Sequence, residues 1–114
     1  MRRMEKIFKA LADRNRLRIL KMLEVKPMCV CEVTSILGIA QSSVSRHLGI
    51  LRNAGLIEDH KDGLWVEYSL VSTTDDLPAT LLTGLRRWGN QDQQVREDRE
   101  KAARADRSVI CGKG

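Results

Sequence analysis

Near Gly55 the apolar pattern of this chain changes period, and that change limits the folds open to it. Upstream, apolar residues recur at helical spacing. Met4, Ile7, Phe8 and Leu11 fall at i, i+3, i+4 and i+7, one stripe of an amphipathic helix. Leu17, Leu20 and Leu23, with Ile19, carry a second helix to about Val25, which Asp13 can cap and Lys26-Pro27 stops. A short helix over about 30–37 buries Val33, Ile36 and Leu37 and ends at Gly38. The next runs from about 41 to 53 on Val44, Leu48 and Leu51. Downstream, residues 56–60 and 64–70 read as strands joined by Lys61-Asp62-Gly63, and an Asp-Gly pair between such runs is a strong hairpin signal. Two short helices joined through Gly38 read as a helix-turn-helix, and the hairpin directly after them makes a winged helix. The expected class is mainly α with an α+β wing: helix-turn-helix about 30–53, wing about 56–70.

Thr74-Asp75-Asp76-Leu77-Pro78 has the capping residues and early proline of a further helix, over about 75–90. Leu77, Leu81, Leu85 and Trp88 line one of its faces, with Leu82 beside them. That face is too apolar for a lone surface helix and predicts burial, in the core or between subunits. Residues 91–114 are polar and charged and read as a fraying helical extension followed by a disordered tail. The expected division is a domain over 1–90 and a tail over 91–114 that carries Cys111.

Composition removes several classes. With 114 residues the chain is one domain by size. Phe8, Trp65, Tyr68 and Trp88 are its only aromatics, too few for a protein that stacks single-stranded bases. Three cysteines do not make a disulfide scaffold. No apolar run approaches the roughly 20 residues of a membrane span. Residues 1–9 lack the apolar stretch of a signal peptide, so a cytoplasmic protein without membrane partners is expected. There is no Gly-rich loop, no Cys-x-x-Cys and no ordered acid/base set, so an enzyme is not expected. The net charge of +5 permits DNA as a partner and is unevenly spread. Residues 1–26 hold nine basic and three acidic side chains, and Arg2, Arg3, Lys6, Lys9 and Arg14 are expected to hold phosphates. Residues 58–70 instead set Lys61 against Glu58, Asp59, Asp62 and Glu67, an odd balance for a hairpin that meets DNA. The safer role for that hairpin is covering the core with Leu64 and Trp65.

Cys29 and Cys31 stand two residues apart at a helix start, where the helix dipole favours thiolate. Thiolates select soft, thiophilic ions. In a regular helix two such side chains point about 200° apart, so both reach one ion only if the turn is extended. The alternatives are a buried cysteine acting as a small apolar residue and a redox pair, although a Cys-x-Cys ring is tight for a disulfide.

Several segments resemble the ArsR/SmtB winged-helix repressors. Leu11-Ala12-Asp13 with Arg16-Leu17-Arg18-Ile19-Leu20 is similar to the opening of their second helix. Met28-Cys29-Val30-Cys31-Glu32-Val33 is similar to the thiol motif of the members that sense arsenic, cadmium and lead. Gln41-Ser42-Ser43-Val44-Ser45-Arg46-His47-Leu48 resembles their recognition helix, and Asn53-Ala54-Gly55-Leu56-Ile57 its exit into the wing. The resemblance covers about residues 4–88. It implies a homodimer, joined through the first and last helices, that represses a resistance operon until a toxic ion binds. The arsenic branch is the nearest. Arsenite or antimonite is then the inducer, Cys29 and Cys31 are ligands, and no organic cofactor is expected. Arsenic-sensing relatives often carry a third cysteine where this chain has Thr34. Cys111 is the spare thiol, brought in from its own or the other subunit. The zinc-type site of the family is absent, since His47 and His60 are the only histidines. Resemblance places Gln41, Ser42, Ser45, Arg46 and His47 near operator DNA and Lys61 on the wing, with His47 equally readable as a packed histidine. Relatives often have a serine N-cap where this chain has Ala40. The alternatives are a cadmium- or lead-responsive repressor, a thiol redox-sensing regulator, and a protein–protein adaptor on the same fold.

Overall fold

Asp13 separates the first two helices by capping the second: its carboxylate accepts from the backbone N–H groups of Asn15 and Arg16 at 2.9 and 3.1 Å. The computed structural model describes residues 1–111 and runs α1 (Arg2–Leu11), α2 (Arg14–Leu23), β1 (Met28–Cys29), α3 (Val30–Leu37) and α4 (Gln41–Asn53). It continues with β2 (Ile57–Asp62), β3 (Trp65–Leu70), α5 (Asp76–Arg87), α6 (Gln93–Arg104) and α7 (Arg107–Ile110). Gly38 ends α3 at φ +72°, the left-handed conformation that lets the chain turn sharply into α4. The core gathers Ile7 of α1, Ile19, Leu20 and Met22 of α2, Val33 of α3, and Val44, Leu48 and Leu51 of α4. Leu56 and Ile57 close it from the sheet side. The winged helix-turn-helix expected from the period change is the fold observed. Among the described residues no helix is long and apolar enough to cross a membrane.

The sheet has three strands in the order β1-β3-β2, one more than the sequence suggested. α2 ends at Leu23 with Glu24 as its C-cap, and Pro27 biases the residue before it towards extended conformations. The two residues after it pair antiparallel with the wing, Met28 opposite Tyr68 and Cys29 opposite Glu67. The hairpin turn lies one residue beyond its expected place. Asp62 pairs with Trp65, leaving Gly63 and Leu64 as a two-residue loop. Gly63 has φ +62° and no other residue type has positive φ among the described residues. That is a II′ turn, whose twist matches the flanking strands. Leu64 therefore sits at the tip, 76% exposed, and does not cover the core as expected.

The region after residue 90 also differs from expectation. Residues 93–104 and 107–110 are helical and docked, and only 112–114 of the expected tail lie outside the described residues. The reason is a set of polar ties that composition conceals. Arg18 of α2 donates twice to the Asp98 carboxylate, at 2.8 and 3.0 Å, and Asp98 is fully buried. Arg99 reaches Glu24 at 2.8 Å, and Lys26 donates to the Ala105 carbonyl at 2.6 Å, past the end of α6. Ala102 presents a small, fully buried face to the core.

Candidate thiol centre and nucleic-acid interface

The extended residue that two neighbouring thiols require is Cys29 itself. It is the N-cap of α3 at φ −89° and ψ 166°, held by its pairing in β1, while Cys31 lies in the first helical turn. Glu32, fully buried one residue on, completes a capping box: its carboxylate accepts from the Cys29 N–H at 2.9 Å. Cys29 Sγ and Cys31 Sγ are thereby 3.2 Å apart. The short α7 brings Cys111 to the same place, 3.5 Å from Cys29 Sγ. Cys31 and Cys111 are in bonding contact as a disulfide pair, with Cα atoms 5.7 Å apart, and Cys29 is the free, buried thiol. All three sulfurs lie within 4.8 Å of one another. The same packing accommodates a disulfide beside one thiol or three thiolates around one ion. Within one chain Cys111 reaches both motif thiols.

Burial pushes the Cys29 thiol up from its ordinary value, against the backbone N–H of Glu32. The Glu32 carboxylate pushes the same way and the nearby Arg107 guanidinium opposes it. The helix dipole therefore does not decide the state of Cys29, as position alone suggested. Thr34, in the place of a third motif cysteine, spends its hydroxyl on the Val30 carbonyl at 2.7 Å.

The second helix of the helix-turn-helix, α4, buries Val44, His47, Leu48 and Leu51 and leaves Gln41, Ser42, Ser45 and Arg46 exposed on the opposite face. Four short or forked polar side chains on one exposed face suit the donor and acceptor pattern of a major groove. Ala40 leaves the helix without a side-chain cap. Lys61 is exposed on β2. Arg3 is paired with Asp75 before α5.

His47 does not belong to that exposed face. It is 6% exposed, and Arg16 donates to its Nδ1 at 3.1 Å. Arg16 also donates to the Ala10 carbonyl at 2.8 Å and the Lys9 carbonyl at 3.2 Å, so one guanidinium ties the end of α1 to α4. Burial holds His47 below the ordinary imidazole value of 6.5, with Asp13 pulling the other way and Arg16 and Arg46 adding to the depression. The native state thus binds fewer protons than the unfolded chain below pH 6.5, and stability falls with acidification through that range. Urea midpoints measured from pH 7.5 to 5 should fall for the wild type and fall less for His47→Gln, whose amide oxygen can still accept from Arg16. Parallel slopes for the two proteins would remove this role for His47.

Two residues of the site escaped the sequence reading. Glu32 had a local signal, since Cys29-x-x-Glu32 has capping-box spacing with a thiol in place of serine. Arg107 had none of its own. Its guanidinium reaches Glu67 at 2.9 Å, Asp62 at 3.2 Å and Glu32 at 3.3 Å, and stands 5.8 Å over the Trp65 ring.

The family model described as bacterial regulatory protein, arsR family, matches residues 13–59. The arsenical resistance operon repressor of Escherichia coli K12 is 46% identical over 65 residues, 56% of each chain. The repressor of the same description from Bacillus subtilis 168 is 42% identical over 71 residues, 61% of this chain and 68% of its own length. The arsenic resistance transcriptional regulator ArsR1 of Pseudomonas putida is 43% identical, with 51% of its length matched. The chain thus spans about half the length of the first of these curated relatives. Among solved structures, HlyU from Vibrio cholerae N16961 superposes with TM-score 0.63 at 35% identity, covering 75% of this chain and 89% of HlyU. The homodimeric winged helix-turn-helix domain of Mb0332 from Mycobacterium bovis gives 0.65 at 25% identity, covering 75% and 76%.

Proposed function

Because the chain belongs to the arsR family of bacterial regulatory proteins, we propose that it is a repressor that binds operator DNA as a homodimer and is released by arsenite or antimonite. The observation that carries this reading is the convergence of Cys29, Cys31 and Cys111 on one point. Arsenite carries three hydroxyls on a soft, trivalent centre. Three thiols replace them, each giving its proton to a leaving hydroxide, so that three As–S bonds form and three waters leave. The relatives described as arsenical resistance repressors support the choice of ion. The cytoplasm is the fitting compartment, because thiols stay reduced there.

Gln41, Ser42, Ser45 and Arg46 are the proposed base-reading groups, with Lys61 on the wing. Arg46→Ala should weaken operator binding by about 1–3 kcal/mol, the value of one good two-pronged base contact. Unchanged affinity in a fluorescence anisotropy titration would take Arg46 out of the interface. Met4 and Phe8 on α1 and Trp88 after α5 are exposed apolar side chains, Trp88 at 60%, and the proposed dimer covers them.

The deciding experiment titrates arsenite, antimonite and cadmium against the protein–operator complex under reducing conditions. Release by arsenite or antimonite is expected. Release by cadmium alone moves the protein to the cadmium branch, and release by none of them ends the proposal. The Cys31–Cys111 contact favours one second reading, a redox-sensing regulator. There the two thiols give two electrons and two protons to hydrogen peroxide, forming the disulfide and two waters. Release by peroxide without any metalloid response would select it.

A further inference from the structure

The acidic wing is unexplained by DNA binding, and three of its four carboxylates, Asp59, Asp62 and Glu67, have partners within the chain. Asp59 is paired with Arg52 of α4 at 3.2 Å. Asp62 and Glu67 are both held by Arg107, one by each terminal nitrogen. Arg107 is the first residue of α7, and its carbonyl accepts from the Cys111 N–H at 2.8 Å. The guanidinium that grips the wing and the third thiol of the cluster thus sit one helical turn apart, at the two ends of one short helix. The same guanidinium reaches Glu32, whose carboxylate holds the backbone of Cys29. On the far side, Glu67 is the strand partner of Cys29.

We propose that Arg107 is the positioning residue through which the thiol centre controls the wing: closing Cys111 onto Cys29 and Cys31 clamps Asp62 and Glu67 and holds the hairpin away from its DNA-bound position. The inference rests on the function proposed above and names how that same site is read out. The physical link is differential binding. A ligand that spans Cys111 and the motif thiols requires α7 docked, so it binds the clamped form more tightly. DNA, in turn, binds better when the wing is free to move, and each ligand lowers the affinity for the other by the same factor. Arg107 acts here through the carboxylates it holds, Glu32, Asp62 and Glu67. One planar fork spans two carboxylates at once, which a lysine ammonium at the same place cannot match in geometry.

The test compares wild type, Arg107→Gln and Arg107→Lys in three measurements: arsenite binding by sulfur-to-arsenic absorption, operator affinity with and without arsenite, and hydrogen exchange of wing residues 57–70. Arsenite should weaken wild-type operator binding by about 5–150-fold, the usual range of allosteric coupling. Arg107→Gln is expected to bind arsenite with the same absorption while its operator affinity changes by less than about threefold, and Arg107→Lys to recover part of the response. Without arsenite, the Gln variant should bind operator at least as tightly as wild type, and its wing should exchange faster. A Gln variant released as readily as wild type overturns the role of Arg107 and leaves the proposed function standing. A wild type that binds no arsenite overturns the proposed function instead, and the clamp is then judged by exchange alone. Faster wing exchange in Arg107→Gln supports it, and unchanged exchange overturns it.

Discussion

Cys31→Ser is expected to stay on its operator at arsenite concentrations at which the proposed mechanism releases the wild type. Cys31 is the sulfur best placed to decide this. It is 3.2 Å from Cys29 and in bonding contact with Cys111, so removing it leaves two thiols 3.5 Å apart with the central ligand gone. A serine hydroxyl has nearly the same shape but is a hard, weakly acidic donor that does not replace a thiolate on arsenic. Cys31 is also the cleaner choice structurally, because Cys29 is 1% exposed and replacing it disturbs the core as well. The wild-type shift in operator affinity, about 5–150-fold, should fall below about twofold. Cys111→Ser keeps the motif pair 3.2 Å apart and should still bind arsenite there, but with the tie to α7 gone its operator affinity should respond to arsenite no more than that of Arg107→Gln. Anisotropy titrations of the three proteins with and without arsenite measure this. A Cys31→Ser protein with the full wild-type response would place the sensor elsewhere.

Asp98→Ala undocks α6 from the rest of the chain. Asp98 is fully buried and accepts from Arg18 twice and from Gln94 at 3.0 Å. Removing one partner of such a pair strands the other charge, at a cost of about 3–5 kcal/mol. The helix has little else to hold it: Ala102 is its one fully buried apolar residue, and Arg99 and the Lys26 contact supply the remaining ties. The loss is therefore expected partly as local undocking, with fast hydrogen exchange over residues 93–104. Because α7 follows directly, Cys111 should leave the thiol centre too, and the variant should bind arsenite as Cys111→Ser does. Urea unfolding, exchange and arsenite absorption test the three consequences. A change below about 1 kcal/mol with α6 still protected would show that the buried pair does not dock the helix.

The helix-turn-helix was legible because each of its signals is local. Asp13 caps, Gly38 turns, and Val44, Leu48 and Leu51 repeat at the period of a helix facing a core. The hairpin was legible for the same reason, with its turn displaced by one residue because Gly63 takes the positive-φ position. The strand at Met28–Cys29 was not, because two residues carry no period and their conformation is set by a partner strand 38 residues away. The docking of α6 was hidden by composition. Its face is made of Asp98, Arg99 and Ala102, and a buried carboxylate looks like a solvated one until Arg18 is placed beside it. For His47 the sequence left two readings open, and its burial beside Arg16 takes the packed one.

Sequence alone determined the fold class, the exposed polar face of Gln41, Ser42, Ser45 and Arg46, and the presence of two neighbouring thiols at a helix start. Each depends on residues within a few positions of one another, where spacing and backbone geometry are enough. Tertiary structure alone decided that Cys111 meets Cys29 and Cys31, that His47 turns inward, and that Arg107 joins the thiols to the wing. Those contacts link residues up to 82 apart in the chain, and the two that involve α7 depend on the buried pair of Arg18 and Asp98, which docks the helix just before it.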